Sequence, residues 1–393
     1  MNQTKRLYYE DAYQTEFTAR VRAVGEDRTG RYLVLDRTLF FPEGGGQPAD
    51  TGYLNDCPVR DVQIVEGEIR HYIVLLSSLR EGDEVTGQID WERRFDLMQQ
   101  HSGEHIVSGL IHERFGYDNV GFHMGERYIT IDLNGEIDSQ QLAEIEKEAN
   151  DYIWGSHPVR AFFASEEEIR TLPYRSKLEL SGEVRLLEFP GADLCACCGI
   201  HVNNTGQIGL IRLISVHHFR QGVRIEMVSG RRAFEEMRVF SEQNSLVAIR
   251  LSAKPEDTAE AVDKLLAENY RLKGKIIRLE KEKHARIAQS CCGLGNVLVF
   301  VPDLTPADIR KCTDDILEVC GGVGIVLSGD DDQGYRYAIG VRQGDIRGLV
   351  KEMNETLAGR GGGKPFFAQG SLKGGHQKVR DFFTDKEYAI LDM

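Results

Sequence analysis

Arg93-Arg-Phe-Asp-Leu-Met-Gln-Gln-His-Ser-Gly-Glu-His-Ile-Val-Ser-Gly-Leu-Ile-His-Glu-Arg-Phe115 is where this 393-residue chain changes character. Phe95, Leu97, Met98, Val107, Leu110 and Ile111 recur near helical spacing around His101 and His105, so the segment predicts a core-facing helix. Upstream, from Thr15 to about Asp90, short β-branched runs such as Tyr32 to Leu35 and Val59 to Val65 alternate with Gly, Asp and Pro turn signals. That pattern predicts a small β-rich, barrel-like domain over residues 1–90. Downstream, mixed helix and strand signals run to about Val239, which makes the class α+β and sets a second domain at 91–245.

Pro255 suits the first turn of a helix, and the Ala-, Glu-, Lys- and Leu-rich stretch after it has a heptad spine of Val262, Leu265, Asn269, Leu272, Ile276 and Leu279. Residues 255–290 therefore read as a coiled-coil helix. An interior Asn commonly fixes register in a dimer, while Gly274 weakens the helix, so self-association is expected and an intramolecular helix pair is the alternative. From Gly295 to the end, strand-like runs (Asn296 to Val301, Val323 to Leu327, Tyr337 to Val341) alternate with helical ones (Thr305 to Cys320, Gly344 to Leu357) in a C-terminal α/β domain, 295–393, with a glycine-rich loop near its end.

Composition bounds the function. With 41% hydrophobic and 28% charged residues the chain reads as soluble and globular, too long for one core. Its first residues carry no signal-like apolar run and no apolar stretch is long enough to span a bilayer, so a cytoplasmic protein without a membrane partner is expected. Eight cysteines, clustered at Cys195, Cys197, Cys198 and at Cys291, Cys292, do not form the even spread of a secreted disulfide framework. A net charge of -14 excludes a chain that coats nucleic acid over its whole surface, because phosphate contact needs clustered Lys and Arg.

His101-Ser-Gly-Glu-His105 places two imidazoles on one helix face. Cys197-Cys-Gly-Ile-His201 offers a thiolate and a third imidazole, giving the mixed nitrogen and sulfur set that zinc prefers, one ion per chain. Cys197 and His201 are the expected third and fourth ligands, although spacing alone does not choose Cys197 over Cys195 or Cys198. Ser102 stands where the H-E-x-x-H metalloprotease motif has its glutamate, which disfavours a protease.

With these residues in view, the two motifs resemble the zinc set of the alanyl-tRNA synthetase editing domain and its free-standing AlaX relatives, the long form in particular. Phe40-Phe-Pro-Glu-Gly-Gly-Gly-Gln-Pro-Ala-Asp-Thr-Gly52 is similar to that family's glycine-rich motif, and Gly222-Val-Arg-Ile-Glu226 with Gly230 to its late editing-domain motif. Gly359-Arg-Gly-Gly-Gly-Lys-Pro-Phe-Phe-Ala-Gln-Gly370 resembles the C-terminal domain of alanyl-tRNA synthetases, which implies tRNA binding or dimerisation for residues 295–393. Five cations there, Arg360, Lys364, Lys373, Lys378 and Arg380, lie beside Phe366 and Phe367, a local mix suited to RNA. No Asp-His-His motif precedes that domain and no segment is read as resembling the class II aminoacylation core, so phosphoesterase and ligase activities are not expected.

The resemblance implies an ATP-independent aminoacyl-tRNA deacylase that hydrolyses mischarged tRNA(Ala), Ser-tRNA(Ala) first and Gly-tRNA(Ala) second, and so guards translation fidelity. It puts Thr38 and Gln47 where the amino-acid side chain is judged; Glu104 is a candidate base. Dimerisation through the coiled coil or the C-terminal domain is a further expectation. Two rivals stand beside this: a zinc-stabilised RNA-binding module without catalysis, and an editor of Ser-tRNA(Thr).

Overall fold

The structure, a computed structural model, describes residues 3–74, 79–176 and 182–393. Residues 1–2, 75–78 and 177–181, which belong to the first two expected domains, lie outside the described residues. The class is α+β, and two compact units divide the chain at Leu246 and Val247.

In the first unit six strands, in the order Glu16–Glu26, Arg31–Leu35, Glu68–Ile73, Cys57–Val65, Gly52–Leu54 and Glu84–Ile89, close into a barrel. The first strand shows why: Phe17, Ala19 and Val21 are buried and the residues between them exposed, the two-residue period of a strand with one face on a core. Closure leaves this sheet with no free edge.

The helix Trp91–Phe115 follows directly. The Asp90 side chain caps it by accepting from Arg93 N at 3.1 Å, and Gly116, with φ +70°, ends it in the left-handed conformation. From Leu97 to Ile111 every residue is buried, polar ones included. Burying polar groups costs free energy unless they are paired, and several of these are. Gln100 donates to Ser229 O at 2.7 Å and accepts from Ser229 N at 2.8 Å, Gln99 donates to Gln207 O at 2.8 Å, and Ser102 Oγ accepts from Val202 N at 3.1 Å. Gly109 lets the helix approach a loop closely, since a Cβ there would lie 2.1 Å from Ala192 O. Around the helix are a four-stranded antiparallel sheet (Ile211–Phe219, Gly222–Ser229, Ile129–Leu133, Asn119–Met124), a three-stranded one (Arg160–Ala164, Val184–Phe189, Asp193–Ala196), and the helix Ser139–Trp154.

Arg94 joins this helix to the glycine-rich segment. Its fully buried guanidinium pairs with Asp50 and donates to the carbonyls of Leu39 and Ala12. Asp50 also accepts from Phe41 N at 2.6 Å.

In the second unit the helix Thr258–Ser290 carries the heptad spine. Its last turns pack His284, Ile287 and Ala288, while Leu265, Ile276 and Leu279 are about half exposed. A six-stranded sheet, in the order Arg360–Lys364, Phe367–Leu372, Gly334–Val341, Gly321–Asp330, Gly295–Phe300 and Ala389–Asp392, packs with the helices Pro306–Leu317, Arg347–Thr356 and His376–Thr384. One sequence reading is corrected here: the glycine-rich segment is not a loop but a hairpin, with Gly361–Gly363 in an edge strand paired to Ala368–Gly370. Among the described residues no helix is long and apolar enough to cross a membrane.

Candidate metal centre

His101, His105, Cys197 and His201 come together in the first unit with one donor atom from each inside 4.8 Å of all the others. The helix Trp91–Phe115 supplies the first two from successive turns, and the turn after the strand Asp193–Ala196 supplies the others. Cys197 Sγ lies 3.6 Å from His101 Nε2 and 3.7 Å from His201 Nε2.

The far side of each helix imidazole is held. His101 Nδ1 is 2.9 Å from Gln47 Oε1, an oxygen that also accepts from Ile200 N at 3.1 Å. An amide oxygen only accepts, so the His101 proton sits on Nδ1 and Nε2 faces the cluster with its lone pair. His105 Nδ1 lies 3.1 Å from Asp193 Oδ2, and Arg175 Nε donates to the other oxygen of that carboxylate at 2.8 Å. His105 Nε2 is buried and has no hydrogen-bond partner. A carboxylate behind an imidazole whose front nitrogen is unpaired is the arrangement that orients a metal-bound histidine.

Electrostatics agree. Burial alone would push the Cys197 thiol up, but His101, His201 and His105 outweigh it and hold it well below the ordinary thiol range. Burial holds His201 well below the ordinary imidazole value despite the Cys197 charge. At His105 burial is overcome by Cys195, Cys197 and Asp193, which raise it well above its usual value. A thiolate and a neutral imidazole are the forms that bind zinc, so the donor set fits a metal of that softness.

Geometry distinguishes the three cysteines. Cys195 Sγ contacts His105 at the wrong nitrogen, Nδ1, at 3.0 Å, and burial pushes this thiol up to about 12. Cys198 is exposed, its Sγ lying over the glycine-rich turn, where a Cβ on Gly45 would come within 2.9 Å of it. That turn is a two-residue hairpin, with Gly44 and Gln47 bonded to each other and Gly45 and Gly46 at φ +61° and +83°, a pair that side-chain-bearing residues rarely adopt. Its geometry delivers Gln47 to His101.

Thr38 and Glu104 are placed differently. Thr38 is fully buried and lies 2.8 Å from His71 Nε2. His71 Nδ1 donates to Leu33 O at 3.0 Å, so its Nε2 accepts and the threonine proton is spent there, while Thr38 Oγ1 accepts from Phe40 N at 3.0 Å. Glu104 accepts from Ser108 Oγ at 2.6 Å and Asn119 Nδ2 at 2.5 Å and is not one of the gathered donors.

Sequence reasoning did not single out Asp193, Arg185 or Tyr9. Arg185 Nη1 donates to Cys197 O at 2.9 Å and Gly199 O at 2.7 Å, and the Tyr9 hydroxyl donates to Cys198 O at 2.8 Å. Three successive carbonyls of the ligand turn are thereby fixed.

The five C-terminal cations do not converge in this way. Arg360 and Lys364 lie on the exposed edge strand, Lys373 follows its partner strand, and Lys378 and Arg380 lie on the helix His376–Thr384, where Arg380 is paired with Asp392. Arg347 and Lys351, which the sequence reading passed over, line a cavity of about 420 Å³ beside Gly361–Gly363.

Comparison with known proteins adds three family-model matches: residues 2–93 to tRNA synthetases class II (A), 184–226 to the threonyl and alanyl tRNA synthetase second additional domain, and 294–389 to the DHHA1 domain. The residues matched by the first fold here as the barrel and its flanks. The second contains Cys197 and His201. The chain is 27% identical to the alanyl-tRNA editing protein AlaX-L of Pyrococcus horikoshii, over 97% of this chain and 98% of that one. It is 33% identical to the alanine–tRNA ligase of Methanoregula boonei, over 93% of this chain and 41% of that one. Against the ligase of Ignicoccus hospitalis identity is 31%, over 92% and 40%. The chain thus spans about two fifths of those ligases. A solved structure, the C-Ala domain of Aquifex aeolicus alanyl-tRNA synthetase, aligns with 24% of this chain at 21% identity and a TM-score of 0.21, too low for the folds to be compared.

Proposed function

From a chain that resembles an alanyl-tRNA editing protein of the AlaX family along almost its whole length, we propose an aminoacyl-tRNA deacylase with zinc at the His101, His105, Cys197, His201 cluster. The observation that carries this is the cluster itself: four zinc-type donors, with its two helix imidazoles each oriented from behind, partly inside the segment that matches the synthetase additional domain. When bound, zinc supplies a Lewis acid to polarise the ester carbonyl or to lower the pKa of a water.

The chain's own groups hold and judge the substrate. Gln47 Nε2 is buried with no partner, because both contacts of the amide fall on its oxygen. It is therefore a donor waiting for an acceptor, and a serine hydroxyl would satisfy it where an alanine methyl would not. An unmet buried donor costs about 1–3 kcal/mol, which is the scale of discrimination an editor needs. Thr38, its proton spent on His71, has only a lone pair to offer a seryl hydroxyl. This favours Ser-tRNA(Ala) over Gly-tRNA(Ala). Glu104, tied to Ser108 and Asn119, is better placed to support the helix than to act as the base. The C-terminal cations contact the tRNA, and the exposed heptad spine offers a surface for a second copy.

One observation favours the rival of a purely structural metal: four protein donors leave no obvious open position. The test is to incubate metal-quantified protein, and a His101→Ala variant, with Ser-tRNA(Ala), Gly-tRNA(Ala), Ala-tRNA(Ala) and Ser-tRNA(Thr). Selective loss of serine from tRNA(Ala), absent in the variant, is expected. A zinc-loaded protein that releases no amino acid would support the structural rival, and preferential release from tRNA(Thr) would move the substrate.

A further inference from the structure

His101, His105 and His201 are all under 8% exposed, whereas Cys197 is half-buried and Cys198 exposed. A substrate reaching the cluster therefore comes in past the Cys197 and Cys198 side. Tyr9, bonded to Cys198 O, lies on that side, with the Arg185 guanidinium 4.6 Å over its ring. Phe163, on the edge strand Arg160–Ala164, meets the Tyr9 ring edge-on at 5.9 Å and is itself 50% exposed. Arg6 immediately precedes the turn Leu7–Tyr9 and is exposed, and among the described residues its guanidinium has neither hydrogen bond nor ion pair.

An exposed aromatic face beside an unpaired cation, at the mouth of a site in a chain of net charge -14, is poorly suited to coat a duplex and well suited to one flexible strand. The other end of the substrate gives the same answer, because the aminoacyl group carries an ammonium that Arg6 repels, so this cation faces the phosphodiester. We propose that the rim formed by Phe163, Tyr9 and Arg6 holds the single-stranded 3′ end of the tRNA, with a base stacked on Phe163 and a phosphate at Arg6. This rests on the deacylase reading and adds the path by which the ester arrives.

The test measures binding of the full zinc-loaded chain to uncharged tRNA(Ala), either intact or lacking its last three nucleotides. Wild-type protein should lose about tenfold in affinity when the end is removed, as expected for one stacked base. Phe163→Ala should lose most of the difference between intact and shortened tRNA, keeping only the part that the Arg6 phosphate contact supplies, and Phe163→Tyr should restore the difference. Arg6→Ala should reduce the slope of log affinity against log salt by about 0.7, the value of one single-strand phosphate contact. Zinc content and circular dichroism establish that each variant is folded. A Phe163→Ala protein that keeps the full penalty for shortening overturns the proposal. So does a wild type that does not sense the last three nucleotides. If the rim senses them while Ser-tRNA(Ala) is not hydrolysed, the proposal stands and the deacylase reading fails.

Discussion

The buried cluster in the first unit and the basic residues of the second are both places where the sequence concentrates chemistry, yet they are built in opposite ways. His101 and His105 each have a second partner that fixes the ring's orientation, and these partners come from residues 54 and 88 positions away. The C-terminal cations sit on separate elements, mostly exposed, and one is already spent on Asp392. A site of the first kind fails when one member is lost, whereas a charge patch of the second kind degrades in small steps.

The contrast is broken most easily at a ligand. Cys197→Ala or His101→Ala should lower zinc affinity by at least about a hundredfold, since it removes one of four donors; competition with a chelating dye measures it, and a loss under tenfold would mean the residue is not a ligand. Next comes the buried pair that docks the helix on the glycine-rich segment. Asp50→Asn leaves Arg94 charged in a dry interior, and a destabilisation of about 3–5 kcal/mol is expected in chemical denaturation.

A third effect belongs to the barrel. Burial holds His71 down to about 4 from the usual 6.5, so between those values the unfolded chain binds the proton that the folded one refuses. Stability should therefore fall as pH drops from 6.5 to 4, by about 3 kcal/mol from this group, and be complete above 6.5. His71→Gln, which keeps a donor and an acceptor without titrating, should flatten that part of the stability profile; an unchanged profile would refute the assignment.

Asp193→Asn should cost about 10–100-fold in zinc affinity, less than a ligand, because it acts only through the orientation of His105. Smallest of all, Lys364→Ala or Lys378→Ala should each weaken tRNA binding less than tenfold and lower its salt dependence, as a lone phosphate contact does. A single C-terminal substitution that abolished binding would place a convergent site where the structure shows dispersed charge.

These expectations also show what was legible before the structure. The α+β class followed from the change of period at Arg93, and the helix there was readable from the spacing of Phe95, Leu97, Met98, Val107, Leu110 and Ile111, while its caps at Asp90 and Gly116 were not used. The four proposed donors were visible from their types and spacing, but what separates three neighbouring cysteines was not, since it is which thiol lies near Nε2 rather than Nδ1 of a helix histidine. Asp193 left a signal that was not used, a carboxylate two residues before the cysteines. Arg185 and Tyr9 left none, because their partners are carbonyls that any residue could supply, in the case of Tyr9 189 positions away. Gly361–Gly363 was read as a loop because a strand without side chains has no alternation to detect.

The central claim is that the three-histidine, one-cysteine cluster is a metal site on which hydrolysis of a mischarged tRNA depends. The direct measurement follows Ser-tRNA(Ala) hydrolysis by one preparation as isolated, after zinc removal, and after return of one equivalent per chain, with circular dichroism recorded at each stage. The account predicts loss and full recovery of hydrolysis with an unchanged spectrum. A metal-free protein that hydrolyses the ester at the original rate would contradict it.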